Sequence, residues 1–325
     1  MPATITHAYF AEDVYKRLNT YNKSLIDENL IQYKMFSQST DSLMFYNIEN
    51  LKKGKEIREF QYTFHTTKTQ DFFCCLAKKI KNKKLFNNKS VMCYLYGIIC
   101  HYVLDSNIHP FIYYKTGYFN KHDKSSYKYN NQHSYMETFL DLYLMKEKGI
   151  IGFDKLNINT FTFDLKPFDF DLIEIINSCF FDVYGIGDMA KIYYISLKQM
   201  CRFIKRYRID KTGIKKLLYK SIDKFTPKNI FKFEALSYNY KFQNEEIYLN
   251  NNHNIWFNPI EPSIFSYESF SDLYEKSIDE AINIINNLTD YFNGKNIDIK
   301  KVFTNKSYVS GLNCNIDLIF KKFEY

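Results

Sequence analysis

The apolar positions of this chain recur mostly at spacings of three and four, the period of helices that bury one face. Near the start, Tyr9, Phe10, Val14 and Tyr15 fall on one side of a predicted helix that opens near His7, with Thr6 placed to cap it. In SQSTDSLMFYN, Asp41 is an N-cap candidate for a helix opening at Ser42. GIICHYVLDSNIH, Gly97 to His109, is apolar over most of its circumference and predicts a buried helix, which the following Pro110 limits. A stretch rich in Lys, Asn, Ser and Tyr, from Lys121 to Gln132, reads as a loop, and HSYMETFLDLYLM after it as an amphipathic helix. Thr160 to Asp171 alternates around Pro167 and reads as an extended connector. Helical spacing returns at Leu172 to Phe181, Met189 to Arg206 and Ile214 to Phe225. Tyr238 to His253 reads as a polar loop or short hairpin, and Trp256 to Phe265 as a Pro-broken turn. Ser269 or Ser271 then caps a helix to about Phe292, stopped by Gly294.

Composition sharpens this pattern. With only 10 Gly and 6 Pro in 325 residues, breakers are scarce and an all-α fold is expected, a multi-helix bundle. There is no internal repeat and no β-rich C-terminal module, so the expectation is one large helical domain over residues 1–325. The seven cysteines (Cys74, Cys75, Cys93, Cys100, Cys179, Cys201, Cys314) show no metal-type spacing and read as reduced, buried thiols. No basic segment followed by an apolar core opens the chain, and no apolar run reaches membrane-spanning length, so a cytoplasmic protein is expected. The net charge of +8 is spread over Lys-rich patches. It suits an anionic partner such as a membrane surface or nucleic acid and, more simply, an ordinary solvated surface. Lys78 to Lys89 lacks Arg and a stacking platform, so it is weak as a nucleic-acid patch. No obligate protein partner is evident.

The candidate chemistry sits on two helices. His101, Asp105 and His109 follow at steps of four, and four steps overshoot one helical turn by only about 40°. All three side chains therefore lie on one face, a turn apart. Two imidazoles and a carboxylate on a buried face are costly unless compensated. A divalent metal does that; the ordinary alternative is a hydrogen-bonded core His beside a capping Asp. His133 and Glu137 repeat the step of four, and Asp141 continues their face. For a helix surface that spacing is also an ordinary hydrogen bond. Yet six of the seven histidines precede residue 134, which suggests one convergent site. The exposed His122–Asp123 pair lies in the polar loop. His7, His65 and Asp41, each taken alone, read as core or capping residues.

Taken in order, THAYF (His7), STDSLMFY (Asp41), FHTT (His65), HYVLDSNIH (His101, Asp105, His109) and HSYME (His133, Glu137) resemble the bacterial zinc-dependent phospholipase C family. That family is grouped with the P1-type nucleases in one helical superfamily. The resemblance covers roughly the first 150 residues. It implies a metal-ligand core over 1–150, between helices of the N-terminal half, and a helical extension over 165–325. It implies one zinc on Asp41, His65, His101 and Asp105, and a second on His109, His133 and Glu137. A third would take His7 and share Asp105 as a bridge. The implied activity is phosphodiester hydrolysis of phospholipase C type, with water attacking phosphorus and Asp41 orienting or deprotonating it. The substrate would be a phospholipid or a soluble phosphodiester. A P1-like nuclease is the alternative; Glu137, where the nucleases resemble H-x3-D, favours the phospholipase branch. A non-catalytic, metal-stabilised helical protein is the reading from another class. Secreted members complete the third site with an N-terminal Trp, whereas the one Trp here is Trp256, which leaves a Pro2 amine as the substitute. Asp141 is expected to accept a hydrogen bond from a ligand imidazole, or to pair with a nearby base.

Overall fold

The computed structural model of the protein describes residues 3–50, 52–150, 156–228, 230, 232–239 and 245–324. Met1 and Pro2, and with them the Pro2 amine, lie outside the described residues, as do residues 240–244 of the polar stretch after Tyr238.

The fold is all-α. Its centre is α6 (Lys89–Thr116), which Asn88 opens by accepting from the Val91 amide and Gly117 closes with φ +70. This helix is buried on nearly every side, so the rest of the fold has to surround it. Its coat comes from α1 (Thr4–Arg17), a short α2 (Thr20–Ser24) and α3 (Leu30–Phe36), followed by α4 (Lys55–Thr66) and α5 (Thr69–Asn82). The 3-10 helix Ser39–Phe45 joins α3 to the α4 region. Then come α7 (Gln132–Glu147) and α8 (Ile158–Thr162), which pack on α1, α9 (Phe170–Tyr184), which packs on α5, and α10 (Met189–Phe203), which packs on the Ser39–Phe45 turn. Next are α11 (Ile214–Asp223), the one-turn α12 (Glu246–Leu249), α13 (Phe270–Phe292) and α14 (Ile299–Val302). Ser269 caps α13 in a capping box with Asp272, and Gly294 follows the helix end with φ +87. One contiguous cluster of buried apolar side chains runs from Ile5 to Tyr308, so the later helices share the core of the earlier ones. Among the described residues no helix is long and apolar enough to cross a membrane.

Several sequence expectations need correction. The first helix opens at Thr4, so Thr6 lies inside its first turn and does not cap it. Asp41 caps no helix: it sits in the first turn of Ser39–Phe45, and its carboxylate turns elsewhere. Pro110 does not end α6, which continues to Thr116. A proline removes the amide that would have bonded the carbonyl four residues back, here that of Ser106. Gly311 packs against that carbonyl, where a Cβ would come within 2.4 Å of the oxygen. The connector after Thr160 is extended only from residue 163; before it lies α8. The loop before His133 contains the 3-10 helix Lys124–Tyr129, capped by Asp123. Trp256–Phe257 and Phe265–Ser266 close the Pro-containing turn as a two-stranded antiparallel hairpin, Trp256 opposite Ser266.

Candidate metal centre

The site lies where the first turn of α1, the Ser39–Phe45 turn, α4, the middle of α6 and the start of α7 converge. Two groups of ligand-type side chains meet there, their donor atoms all within 4.8 Å of one another in each group: His7, Asp41, His101 and Asp105, and then His109, His133 and Glu137. Except at the half-buried His109 and His133, these side chains are closed off from solvent.

Asp105 joins the groups. Its Oδ1 is 3.3 Å from His7 Nε2, and its Oδ2 is 3.1 Å from His101 Nε2 and 3.7 Å from His109 Nδ1. Both α6 imidazoles are oriented by a backbone carbonyl. His101 Nδ1 donates to Ser37 O at 3.0 Å, and His109 Nδ1 donates to Tyr308 O at 2.8 Å. Each bond fixes the ring and leaves Nε2 facing inward, the usual arrangement of a metal-ligating His. His7 packs on His101 with ring centroids 4.3 Å apart. In the second group His133 Nε2 is 3.0 Å from Glu137 Oε1, and His109 Nε2 is 3.9 Å from the same oxygen.

His65 is held differently. The Gln61 amide donates to Asp41 Oδ1 at 2.8 Å and to His65 Nδ1 at 2.9 Å, while His65 Nε2 meets the Thr40 hydroxyl at 3.1 Å. Both ring nitrogens are thus engaged, and Nε2 lies 3.5 Å from Asp41 Oδ1. Its ring stacks on Tyr308, centroids 4.5 Å apart.

The donor set suits a cation. His7 Nδ1, His101 Nε2, Asp105 Oδ2 and His133 Nδ1 are buried polar atoms without a hydrogen-bond partner. His101 Nε2 and Asp105 Oδ2 face each other at 3.1 Å, yet the proton of that ring points to Ser37. A positive charge belongs between them, which either a second proton on the His101 ring or a bound cation supplies. Imidazole nitrogen and carboxylate oxygen are the ligands zinc takes.

The electrostatics agree. Burial opposes charge on Asp105, but His101, His109 and His7 hold its carboxyl well below the usual range. Burial also opposes charge on Glu137, yet its carboxyl lies well below the usual range, with His133 and His109 among the groups that hold it there. Burial pushes His65 down to about 4, so this ring stays neutral. Against the same burial, Asp105 and Glu137 raise His109 to about 9. In the metal-free protein His109 therefore keeps a proton at neutral pH that a ligand nitrogen must give up. Zinc binding near pH 7 is expected to release protons, seen by calorimetry as a binding heat that tracks the buffer's ionisation enthalpy. The sign for stability follows: a folded pKa raised from 6.5 to about 9 stabilises the metal-free fold below pH 6.5, and that gain is lost as pH rises towards 9. A binding heat independent of buffer rules out the protonated ring.

Asp141 is buried but bonds no imidazole. Its Oδ1 accepts from the Thr6 amide at 2.7 Å and the Thr6 hydroxyl at 2.8 Å, and its Oδ2 accepts from the Tyr238 hydroxyl at 2.7 Å. Burial raises its carboxyl above the usual range, and the nearby base Arg208 only partly offsets this. The side chain thus anchors the first turn of α1 and, through Thr6, the position of His7. His122 stays exposed in its loop.

Gln61 and Tyr308 are among the contributors that the sequence does not single out. Gln61 stands four residues before His65 on α4, a spacing that could have been noticed. Tyr308 offered no signal, because it acts through its carbonyl and ring from a residue 199 positions beyond His109.

Residues 6–188 match the family described as zinc dependent phospholipase C, more than half of the 325-residue chain. The chain belongs to the zinc-dependent phospholipase C family. The match runs past residue 150 through the whole of α9, so the family resemblance extends beyond the ligand-bearing helices. All eight residues expected as ligands, from His7 to Glu137, fall inside it. No curated protein and no solved structure matches the chain.

Proposed function

We propose that this chain hydrolyses phospholipids at the phosphodiester of the headgroup, using a centre that holds two zinc ions with Asp105 shared between them. The observation that carries the proposal is the Asp105 carboxylate, set between a His7–Asp41–His101 group and a His109–His133–Glu137 group. His65 would join the first group with its ring proton moved to Nδ1, the Gln61 amide turned to accept it, and a metal in place of the Thr40 hydroxyl at Nε2. Whether His7 serves a third ion with Asp105 is the finer part of the same proposal.

Zinc bound there would supply a water of near-neutral pKa and neutralise charge gathering on the phosphoryl oxygens. The side chains set the geometry for this. Gln61 fixes one oxygen of Asp41 and leaves the other, 3.8 Å from His101 Nε2, for orienting or deprotonating the attacking water. The carbonyls of Ser37 and Tyr308 keep His101 and His109 in the tautomer with Nε2 inward. Burial of the first group would keep bulk water away from a phosphate held there. One domain over 1–325 and a cytoplasmic location belong to this proposal, the latter supported by seven cysteines, none in a disulfide.

The test is protein purified without chelator, assayed for metal content, for choline phosphate released from phosphatidylcholine, and for nucleotides released from single-stranded nucleic acid. Zinc with choline phosphate release is expected. Nucleotide release alone would turn the reading to a nuclease; full metal content with neither product would turn it to a structural metal protein.

A further inference from the structure

Outside the family match lies a helix that shows its apolar side to solvent. In α11 the residues Ile214, Leu217, Leu218 and Ile222, followed by Phe225, lie at helical spacing and form one stripe. All five are exposed, Leu217 at 67 % and Phe225 at 89 %. The opposite side is the packed one: Tyr219 is buried and donates to Tyr207 O at 3.0 Å. Isolated exposed apolar side chains are common; a continuous row of five on one short helix marks an interaction surface.

Charge selects the partner. Lys211, Lys220, Lys224 and Lys228 stand exposed around the stripe. The acidic residues of the same region are engaged internally. Asp210 accepts from the Gly213 amide at 3.0 Å, the Lys216 amide at 2.8 Å and the Ser237 hydroxyl at 3.1 Å. Asp223 accepts from the amides of Phe233 and Glu234, each at 2.8 Å, and Glu234 itself is half-buried. What faces outward is an apolar row inside a ring of ammonium groups. That is the signature of a helix lying in the interface of an anionic bilayer, with lysines at the headgroups and leucines below them.

The surface also lies beside the candidate centre. Asn130 donates to the carbonyls of Lys228 and Ile230, both at 2.8 Å, and Asn131 donates to Lys232 O at 3.1 Å. These two asparagines immediately precede α7, which carries His133 in its first turn. Lys121, Lys124 and Lys128, in the loop leading to the same point, are exposed and extend the positive rim.

We propose that α11, with Phe225 and the surrounding lysines, docks the protein onto anionic phospholipid bilayers and so presents the interface to the metal centre. The direction of substrate delivery rests on the phospholipid reading above; the docking itself does not, and binding can be measured without turnover. Vesicles of equal parts phosphatidylcholine and phosphatidylglycerol, and of phosphatidylcholine alone, would be sedimented with full-length protein. Binding to the anionic vesicles is expected, weakening as salt rises from about 0.1 M to about 1 M and the Debye length contracts from about 10 Å to about 3 Å. Leu217→Ser/Leu218→Ser removes two exposed side chains and leaves the packed face intact; it should lower vesicle binding on the order of tenfold or more. Lys220→Glu/Lys224→Glu tests the charge by itself and should do the same on anionic vesicles. Both variants should hydrolyse a small soluble phosphodiester as the wild type does. Wild-type protein that ignores anionic vesicles, or variants that bind them as wild type does, would overturn the docking surface. So would a concentration-dependent dimer abolished by the leucine substitutions while vesicle binding persists, since a second copy would then be the occupant. Vesicle binding lost in both variants, in a protein that releases no headgroup, would uphold the docking and reject the phospholipase reading.

Discussion

Asp105→Asn is expected to lose at least one metal ion and nearly all turnover. The substitution keeps the shape of the side chain and removes the negative charge facing His7 at 3.3 Å and His101 at 3.1 Å. Its amide would also direct N–H groups towards imidazole nitrogens that must point lone pairs at a cation. Loss of a group that merely supports a metal ligand typically costs about 10–100-fold, so a shared ligand should cost more than about 100-fold. Metal content by mass spectrometry and turnover on a chromogenic phosphodiester check this together. Full occupancy with full activity would remove Asp105 from the bridging position and dissolve the two-ion proposal with it.

The largest effect on stability is expected from Gly97→Ala. In an exposed helix interior this change gains about 1 kcal/mol from propensity. Here α6 crosses α3 at Gly97, where a Cβ would stand 2.6 Å from Phe36 Cβ, 2.8 Å from Tyr33 O and 2.9 Å from Phe36 C. Two of these atoms are backbone, and the Tyr33 and Phe36 side chains are fully buried, so no flexible end can yield. Overpacking a full core typically costs about 1–3 kcal/mol, enough to cancel the propensity gain and reverse it. Urea unfolding should therefore show a lower midpoint. Zinc affinity should fall with it, because Ser37, the residue after Phe36, holds His101. Gly187→Ala is the control: a Cβ there meets nothing within 4 Å, and it should be close to neutral. An unchanged midpoint for Gly97→Ala would mean that α3 and α6 can part without cost.

The contrast between these two positions shows what the sequence could reveal. His101, Asp105 and His109 were legible because helical spacing alone places them on one face, and α13 because its cap, stripe and stop are all local. The helix boundaries around Thr6 and Pro110 differ from the local pattern, because tertiary packing sets them. Asp141 takes up the Thr6 donors across 135 positions, and α6 runs on through Pro110 to Thr116 with Gly311 packed against the Ser106 carbonyl. Local rules give the cost of a lone proline or an unsatisfied amide, and tertiary structure can offset either. The same limit hid Tyr308: a carbonyl oxygen is offered by every residue, so its identity as the acceptor for His109 leaves no mark in the composition.

That bond has a consequence for how the protein is made. Tyr308 O holds His109, and the Tyr308 amide in turn bonds His65 O at 2.9 Å. The N-terminal ligands are synthesised early, but two of the rings are not steadied until residue 308 has left the ribosome. Contacts of such long sequence separation form late, because the intervening chain must first be ordered. A nascent chain stalled before that residue would offer zinc a loose, poorly shaped set of histidines.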